Sequence, residues 1–173
     1  FGMAYIILRE KIRIDINKIK NEDYGVVMLG GNMNEKQLSN ILDKISPKGL
    51  QLFIVSNYPI SLKKITSNSL NITILINPSN LVEIMSNCGW CITNGGITML
   101  EMIYFKKIIF SYPQNNNEDI LSKVMLKNEL INSINSENIN VSKYTNYAPG
   151  VNNIFDGLGA QRIVKQIKTN LMI

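Results

Sequence analysis

Residues 24–32, YGVVMLGGN, decide the fold of this chain. They begin with an unbroken apolar run, typical of a strand covered on both faces, and the run stops at Gly30 and Gly31. The same order of apolar strand, double glycine and helical pattern returns in residues 90–98, WCITNGGIT. Repeated strand–helix units of this length require a parallel sheet, because each helix must cross back over a face of the sheet.

Strand and helix patterns alternate along the rest of the chain. Apolar strand patterns also occur at residues 52–56, 72–76, 108–112 and, as a short piece, 139–141. Helical spacing occurs at residues 34–45, 80–85, 98–105, 118–134 and 160–172, and more weakly at 60–65. Asn80 is predicted to cap its helix, and Pro47 and Gly49 are predicted to end the first one. We therefore predict an α/β fold, a Rossmann-like doubly wound parallel sheet of five or six strands.

The length of 173 residues suits one domain. Hydrophobic residues make up 45% of the chain and charged residues 18%, so a buried core forms without a disulfide or a metal. No linker or internal repeat divides residues 22–173, which we predict to be the ligand-binding α/β domain. Residues 1–21 carry an apolar patch without a strand–helix unit. We interpret them as an interdomain connector, which either packs on this domain or ends a preceding one.

The net charge of +5 arises from 18 basic and 13 acidic residues. The basic residues are scattered as singles and pairs, such as Lys106 and Lys107, so a solvated basic surface is favoured over a nucleic-acid interface. No apolar run approaches the ~20 residues that cross a bilayer, and the first residues have no signal-peptide layout. We predict a cytoplasmic protein with no transmembrane segment and no nucleic-acid partner.

Histidine is absent from the chain, and Cys88 and Cys91 are its only cysteines. The commonest general base and metal ligand is therefore missing, so we predict no metal site and no cofactor, and a Ser-His-Asp triad cannot form within this chain. The C-x-x-C spacing suggests redox chemistry, but a redox pair opens a helix whose dipole lowers a thiol pKa. Here the pair ends a helix and enters an apolar strand, which favours a buried, inert Cys91.

Two glycine-rich loops follow predicted strands at the sheet edge where α/β proteins bind ligands. They are Gly30-Gly31-Asn32 and Gly95-Gly96-Ile97-Thr98. Glycines let backbone N–H groups approach a phosphate, and a helix N-terminus adds a partial positive charge. Each double glycine is also an ordinary tight turn, and the dinucleotide and P-loop fingerprints are both absent.

Glu101 lies one turn into the helix that follows the second loop, so its carboxylate is predicted to point back toward the helix start. There it would accept ribose hydroxyls beside a diphosphate bound by the backbone amides of residues 96–98. A carboxylate at this position also stabilises a helix through the macrodipole alone.

A third loop, residues 112–118, follows the predicted strand at 108–112. Gln114 and Asn115 carry amides that suit phosphate or sugar hydroxyls. An Asn-rich loop is equally an ordinary turn, so both interpretations stay open.

Residues 80–101 resemble a known family. The segments 80–85, NLVEIM, and 88–101, CGWCITNGGITMLE, are similar to the "N-M-x-x-L-M…A-D-x-x-I-x-x-G-G-x-T-x-x-E" signature of a glycosyltransferase-B C-terminal domain. More narrowly, they resemble the UDP-sugar hydrolase of pseudaminic acid biosynthesis and its spore-coat polysaccharide relatives. Residues 29–32, LGGN, are similar to the "F-G-G-S/T-D" phosphate loop of that family, and residues 5–10, YIILRE, to its "Y-A-L-L-R-x-E-F" interdomain segment.

The resemblance implies a lobe that binds a UDP-sugar, with Glu101 on the ribose. The other implied contacts are Ile76 and Asn77 with the uracil edge, residues 30–32 and 96–98 with the diphosphate, and Gln114 and Asn115 with phosphate or sugar. The family's general base is a histidine of the N-terminal lobe. The resemblance therefore implies a catalytic lobe outside this chain and no catalytic residue within it.

Two hypotheses of different classes follow. The first is the UDP-sugar-binding C-terminal lobe of a nucleotide-sugar hydrolase or glycosyltransferase in surface polysaccharide or nonulosonic acid biosynthesis. The alternative is a degenerate, non-catalytic module of the same fold that binds a nucleotide or a partner protein. Asn32 and Gly89, where the family has Ser or Thr and Asp, favour the alternative. A flavodoxin-like domain would want an acidic cluster at the strand ends, and the sequence has none there.

Overall fold

A computed structural model describes residues 6–9, 12, 19–31, 34–47, 49–60, 70–134, 137–144 and 156–171. The strands are β1 (Glu22–Met28), β2 (Ile45–Ser46), β3 (Gln51–Ser56), β4 (Asn71–Ile76), β5 (Cys88–Thr93), β6 (Ile108–Ser111), β7 (Ser133–Ile134) and β8 (Ile139–Asn140). The helices are α1 (Glu35–Lys44), α2 (Leu81–Asn87), α3 (Ile97–Tyr104), α4 (Asn116–Lys127) and α5 (Gly159–Leu171), and a 3-10 helix spans Val141–Tyr144. Residues 61–65 of the weak helix predicted at 60–65 and the phosphate-loop residue Asn32 lie outside the described residues.

Six strands form one parallel sheet in the order β4-β3-β1-β5-β6-β7. The chain moves outward from β1 to β3 and β4, then crosses back to β5 on the other side of β1. This is the strand order of the Rossmann fold, and the direction reverses between β1 and β5. The prediction of a doubly wound parallel sheet is confirmed.

Helices cover both faces of the sheet. One face packs against α2, α3 and α4, with Met85, Met99 and Met102 among its fully buried side chains. The other packs against α1 and the two-stranded pairing of β2 with β8. Trp90 lies in register with Gly25, and a Cβ added at Gly25 would lie 2.2 Å from the Trp90 ring. The indole therefore occupies space that only glycine leaves on β1.

The segment before β1 contributes to the core. Leu8 and Ile12 are 2% and 0% exposed and belong to the cluster that packs beneath α2 and α3. Leu8 and Ile12 therefore pack on the α/β domain, and the assignment of residues 1–21 as an interdomain connector stays a prediction.

The helix predicted at 118–134 is wrong in its second half. Helix α4 ends at Lys127, and Glu129 takes a left-handed conformation with φ 57°. The amides of Glu129 and Leu130 donate to the carbonyls of Leu126 and Met125, which is a Schellman ending. Leu130 is thereby buried, and the chain adds β7 to the sheet edge instead of another helical turn.

Two smaller predictions are also corrected. The strand predicted at 139–141 does not join the main sheet, because its residues Ile139 and Asn140 pair with β2 on the α1 face. Asn80 occupies the N-cap position of α2, but its side chain makes no capping hydrogen bond and donates to Glu83 instead.

Candidate functional site

The two glycine loops meet at one edge of the sheet, as predicted. Met28 and Thr93 lie in register at the carboxyl ends of β1 and β5. A Cβ built at either Gly30 or Gly96 would lie 3.5 Å from the side-chain nitrogen of Asn94, so this side chain lies between the loops. Gly30 has φ +75°, a conformation that favours glycine. This edge is the switch point at which Rossmann-type sheets bind ligands.

A hollow of about 220 Å³ opens at this edge on the α2–α3 face. Its lining combines Gly30 after β1, Ser56 and Asn57 at the end of β3, and Leu81 and Thr98 from the first turns of α2 and α3. The first N–H groups of a helix have no partner within the helix and carry the positive end of its dipole. The hollow therefore lies beside two helix starts, whose backbone donors are of the type that bind phosphate.

Arg9 adds a charged side chain to the lining of the hollow. Its Nε and Nη2 donate to the two carboxylate oxygens of Glu101 at 2.5 and 2.6 Å. The Glu101 side chain is 0% exposed, whereas that of Arg9 is 57% exposed. The hydrogen bonds to Glu101 raise the pKa of Arg9 above its ordinary value, so the guanidinium stays protonated.

Glu101 is therefore not the open carboxylate that the sequence predicted. Its place one turn into α3 agrees with the prediction, but both of its oxygens accept hydrogen bonds from Arg9. A buried carboxylate needs such a partner because desolvation of an unpaired charge is costly. Contact with a ribose stays a prediction for Glu101, and it would require this pairing to loosen.

Glu118, in the first turn of α4, joins the loops after β5 and β6. Its two oxygens accept hydrogen bonds from the side chain of Asn94 and the backbone amide of Gln114, both at 2.8 Å. The Gln114 side chain in turn donates to the carbonyl of Leu29 at 2.8 Å. This network fixes the ends of β1, β5 and β6 relative to one another.

The remaining predicted site residues differ in where they lie and in what their side chains contact. Gln114 and Asn115 use their side chains to hold the loop and to cap α4, so the structure gives both a positioning role. Gly95 lies against α4, where a Cβ would come within 2.2 Å of the Glu118 carbonyl oxygen, so its smallness serves packing. Ile97 is 63% exposed and does not line the hollow, and Gly31 is exposed in the loop after β1.

Ile76 and Asn77 lie at the same carboxyl edge but on the outermost strand of that side, β4. The Asn77 amide donates to the carbonyl of Ser56, and its side chain donates to that of Asn57. The pair thus abuts the residues that line the hollow, without lining it.

Sequence reasoning did not assign Arg9, Ser56, Asn57 or Glu118 to the site. Arg9 was visible only as part of a connector motif, because its partner Glu101 is 92 positions away. A signal was available for Glu118, since Asn115 followed three residues later by an acidic side chain is a helix-start pattern.

The two cysteines do not form a reactive pair. Cys88 and Cys91 are free thiols and fully buried. Burial raises the pKa of Cys88 to about 12 and that of Cys91 well above its ordinary value. Among the residues that the structure describes, no three Cys, Asp or Glu side chains converge as metal ligands, and no helix is both long and apolar enough to cross a bilayer.

Comparison with solved structures identifies the fold as that of one Rossmann-like lobe of the glycosyltransferase-B type. The UDP-GlcNAc 2-epimerase of Methanocaldococcus jannaschii, in complex with UDP-GlcNAc and UDP, superposes with a TM-score of 0.57 at 17% identity, over 93% of this chain and 49% of that one. The glycotransferase of kitacinnamycin superposes with a TM-score of 0.55 at 12% identity, over 93% and 46%. This chain therefore spans about half the length of each. No protein-family model and no curated protein matches the sequence.

Proposed function

We propose that this chain is the UDP-sugar-binding lobe of a nucleotide-sugar hydrolase or glycosyltransferase in surface polysaccharide or nonulosonic acid biosynthesis. The observation that carries the proposal is the hollow at the switch point, lined by Gly30 from one glycine loop and Thr98 from the helix that follows the other. The sequence resemblance supports the same ligand and pathway. The epimerase with this fold was solved as a complex with UDP-GlcNAc and UDP, which supports the same class of ligand.

The lobe would hold the diphosphate and stabilise it as a leaving group. As the bond between the sugar and the diphosphate breaks, negative charge grows on the phosphate oxygens. In this proposal the backbone amides of Gly30 and Thr98, which line the hollow, favour this charge without reorganisation because the fold already holds them in place. In this proposal the uracil lies along Ile76 and Asn77, beside the hollow.

A second lobe would complete the site. The hollow of about 220 Å³ is smaller than the ~300–1,000 Å³ of typical ligand pockets, which suits one wall of a cleft between lobes. On α5, Val164 and Ile167 are 50% and 52% exposed and form part of an apolar face for such a lobe to cover. That lobe would present the general base together with water, for hydrolysis, or a sugar acceptor, for transfer.

Calorimetry and thermal unfolding with UDP, CMP, GDP and ADP test the proposal. A site with Kd of ~100 μM would stabilise the chain by about 2.7 kcal/mol at 10 mM ligand. We expect UDP to stabilise the chain most. Thr98→Glu should abolish UDP binding by placing a negative charge at the hollow.

Ile97→Glu is the matched control for Thr98→Glu. Both changes add a carboxylate to the first turn of α3, where it favours the helix by about 0.3–1 kcal/mol, but Ile97 is exposed and does not line the hollow. Equal loss of binding in both variants would place the nucleotide elsewhere. No response of the wild type to any nucleotide would favour the non-catalytic partner-binding module.

A further inference from the structure

We propose that Arg9 is an anion-binding residue of the hollow, that Glu101 is its positioning residue, and that the anion is the diphosphate of a nucleotide. The identity of the ligand rests on the proposed function, whereas the geometry of the Arg9–Glu101 pair is independent of it.

The Arg9–Glu101 ion pair presents its positive end to the hollow. The carboxylate is enclosed with 0% exposure, and the guanidinium lies in front of it with 57% exposure. An anion that enters the hollow therefore meets the positive end of the pair first, because it lies nearer to the guanidinium than to the carboxylate behind it.

The guanidinium also keeps donors for a ligand. Glu101 engages Nε and Nη2, and within the described part of the chain no acceptor bonds to Nη1. A guanidinium can bind a carboxylate along one edge and phosphate oxygens with its remaining N–H groups, because its five donors lie in one plane. The bidentate contact with Glu101 fixes the direction of these donors.

The surroundings of Arg9 suit an anion. Among the described residues that line the hollow, Arg9 is the one charged side chain, and none of them carries a carboxylate. Thr98 lies on the same lining, so the first turn of α3 adds its partial positive charge. A cation and a helix N-terminus that face one space favour a group with at least two negative charges, such as a diphosphate, over a single carboxylate.

This role for Glu101 differs from direct contact with a ribose. If Glu101 acts through Arg9, its loss weakens the binding of phosphates and leaves the nucleoside unaffected. If it holds the ribose, its loss weakens the binding of the nucleoside and leaves the binding of inorganic pyrophosphate unaffected.

The test measures UDP, inorganic pyrophosphate and uridine binding to the full chain by calorimetry or competition. The double variant Arg9→Gln/Glu101→Gln replaces the ion pair by two amides that can still bond each other, which removes the positive charge without leaving a buried carboxylate unpaired. We expect pyrophosphate and UDP to bind it at least about 10-fold more weakly, the usual effect of losing a charge-assisted hydrogen bond. Uridine should bind unchanged.

Two further variants test whether the double variant loses binding only because it fails to fold, and they separate the roles of Arg9 and Glu101. Arg9→Lys keeps the charge and loses the planar bidentate contact, so it should fold and bind pyrophosphate with intermediate affinity. Glu101→Gln should weaken pyrophosphate binding less than the double variant does.

Wild-type pyrophosphate affinity in both Arg9 variants would overturn the proposal while leaving UDP binding, and hence the proposed function, intact. Weakened uridine binding with unchanged pyrophosphate binding in Glu101→Gln would also overturn it, in favour of a ribose contact. A wild type that binds pyrophosphate but not UDP would overturn the proposed function alone. A wild type that binds neither would overturn both.

Discussion

At the scale of single residues, burial decides what a polar or reactive side chain can do. Glu101 and Lys107 are both almost fully buried, and each has a defined partner: Arg9 for the carboxylate and Asn21, at 2.6 Å, for the ammonium. Burial lowers the pKa of Lys107, consistent with the cost of enclosing its charge. Burial also raises the pKa of Cys88 and Cys91, and it outweighs the opposing effect of the Lys107 charge.

The thiols are therefore expected to be inert in the native protein. Because burial raises the pKa of Cys88 to about 12, the thiolate that reacts with a disulfide reagent is scarce at a pH of about 8. We expect no labelling of either cysteine by Ellman's reagent in the native protein, and labelling of both in denaturant. Labelling in buffer at the rate of an exposed thiol would contradict the burial and reopen a redox role.

At the scale of elements, capping side chains define where helices begin, and turns at the helix ends direct the chain into the next strand. Helix α3 ends with Lys106 at φ 57°, and the amides of Lys106 and Lys107 donate to the carbonyls of Ile103 and Met102. This is the same Schellman ending that turns α4 toward β7. Helix α1 begins with a capping box between Asn34 and Gln37.

The start of α5 depends on Asp156, whose carboxylate accepts hydrogen bonds from Arg162 and from the backbone amide of Leu158. The Arg162 hydrogen bond is the chief cause that lowers the pKa of Asp156 to about 2. An unfolded aspartate has a pKa of ~3.9. The stabilisation is therefore present above about pH 4 and is lost as the pH falls toward about 2.

Asp156→Asn should lower the free energy of unfolding at pH 7 by at most ~1 kcal/mol, since the pair is partly exposed. The difference between wild type and variant should shrink as the pH falls from about 4 to about 2. Urea denaturation at a series of pH values measures this. A difference that stays constant over that range would show that the carboxylate charge does not contribute.

At the scale of the whole molecule, the segment before the first strand belongs to both the core and the site. Leu8 is buried in the cluster beneath α2 and α3, and the next residue, Arg9, lines the hollow. Burial of Leu8 therefore holds Arg9 in place. Deletion of this segment would remove apolar contacts and the charged group of the hollow together.

Leu8→Ala should lower the free energy of unfolding by about 2–5 kcal/mol, as expected for a large side chain removed from a core. Ile7→Ala is the matched control, because Ile7 is 57% exposed and its removal should change stability by no more than ~0.5 kcal/mol. Urea denaturation measures both. Equal effects of the two substitutions would show that the segment does not pack on the domain.

The sequence by itself determined the alternation of elements and the edge on which the glycine loops lie. Five of the six sheet strands were predicted within two or three residues of their ends, because a buried parallel strand is an apolar run bounded by turn residues. Gly30 and Gly96 had to share an edge once those strands were parallel. Both features can be predicted from the sequence because they depend on residues that are close together in the chain.

Only the tertiary structure decided what the polar side chains do. In the folded chain Arg9 pairs with Glu101, and Glu118 accepts hydrogen bonds from both Asn94 and Gln114. The chain after Lys127 forms the sixth strand of the sheet. The contacts that settle these outcomes join segments that are distant in the chain or depend on burial of single residues such as Leu130. No local spacing encodes which distant group will meet a carboxylate, since that depends on how the crossovers stack around the sheet.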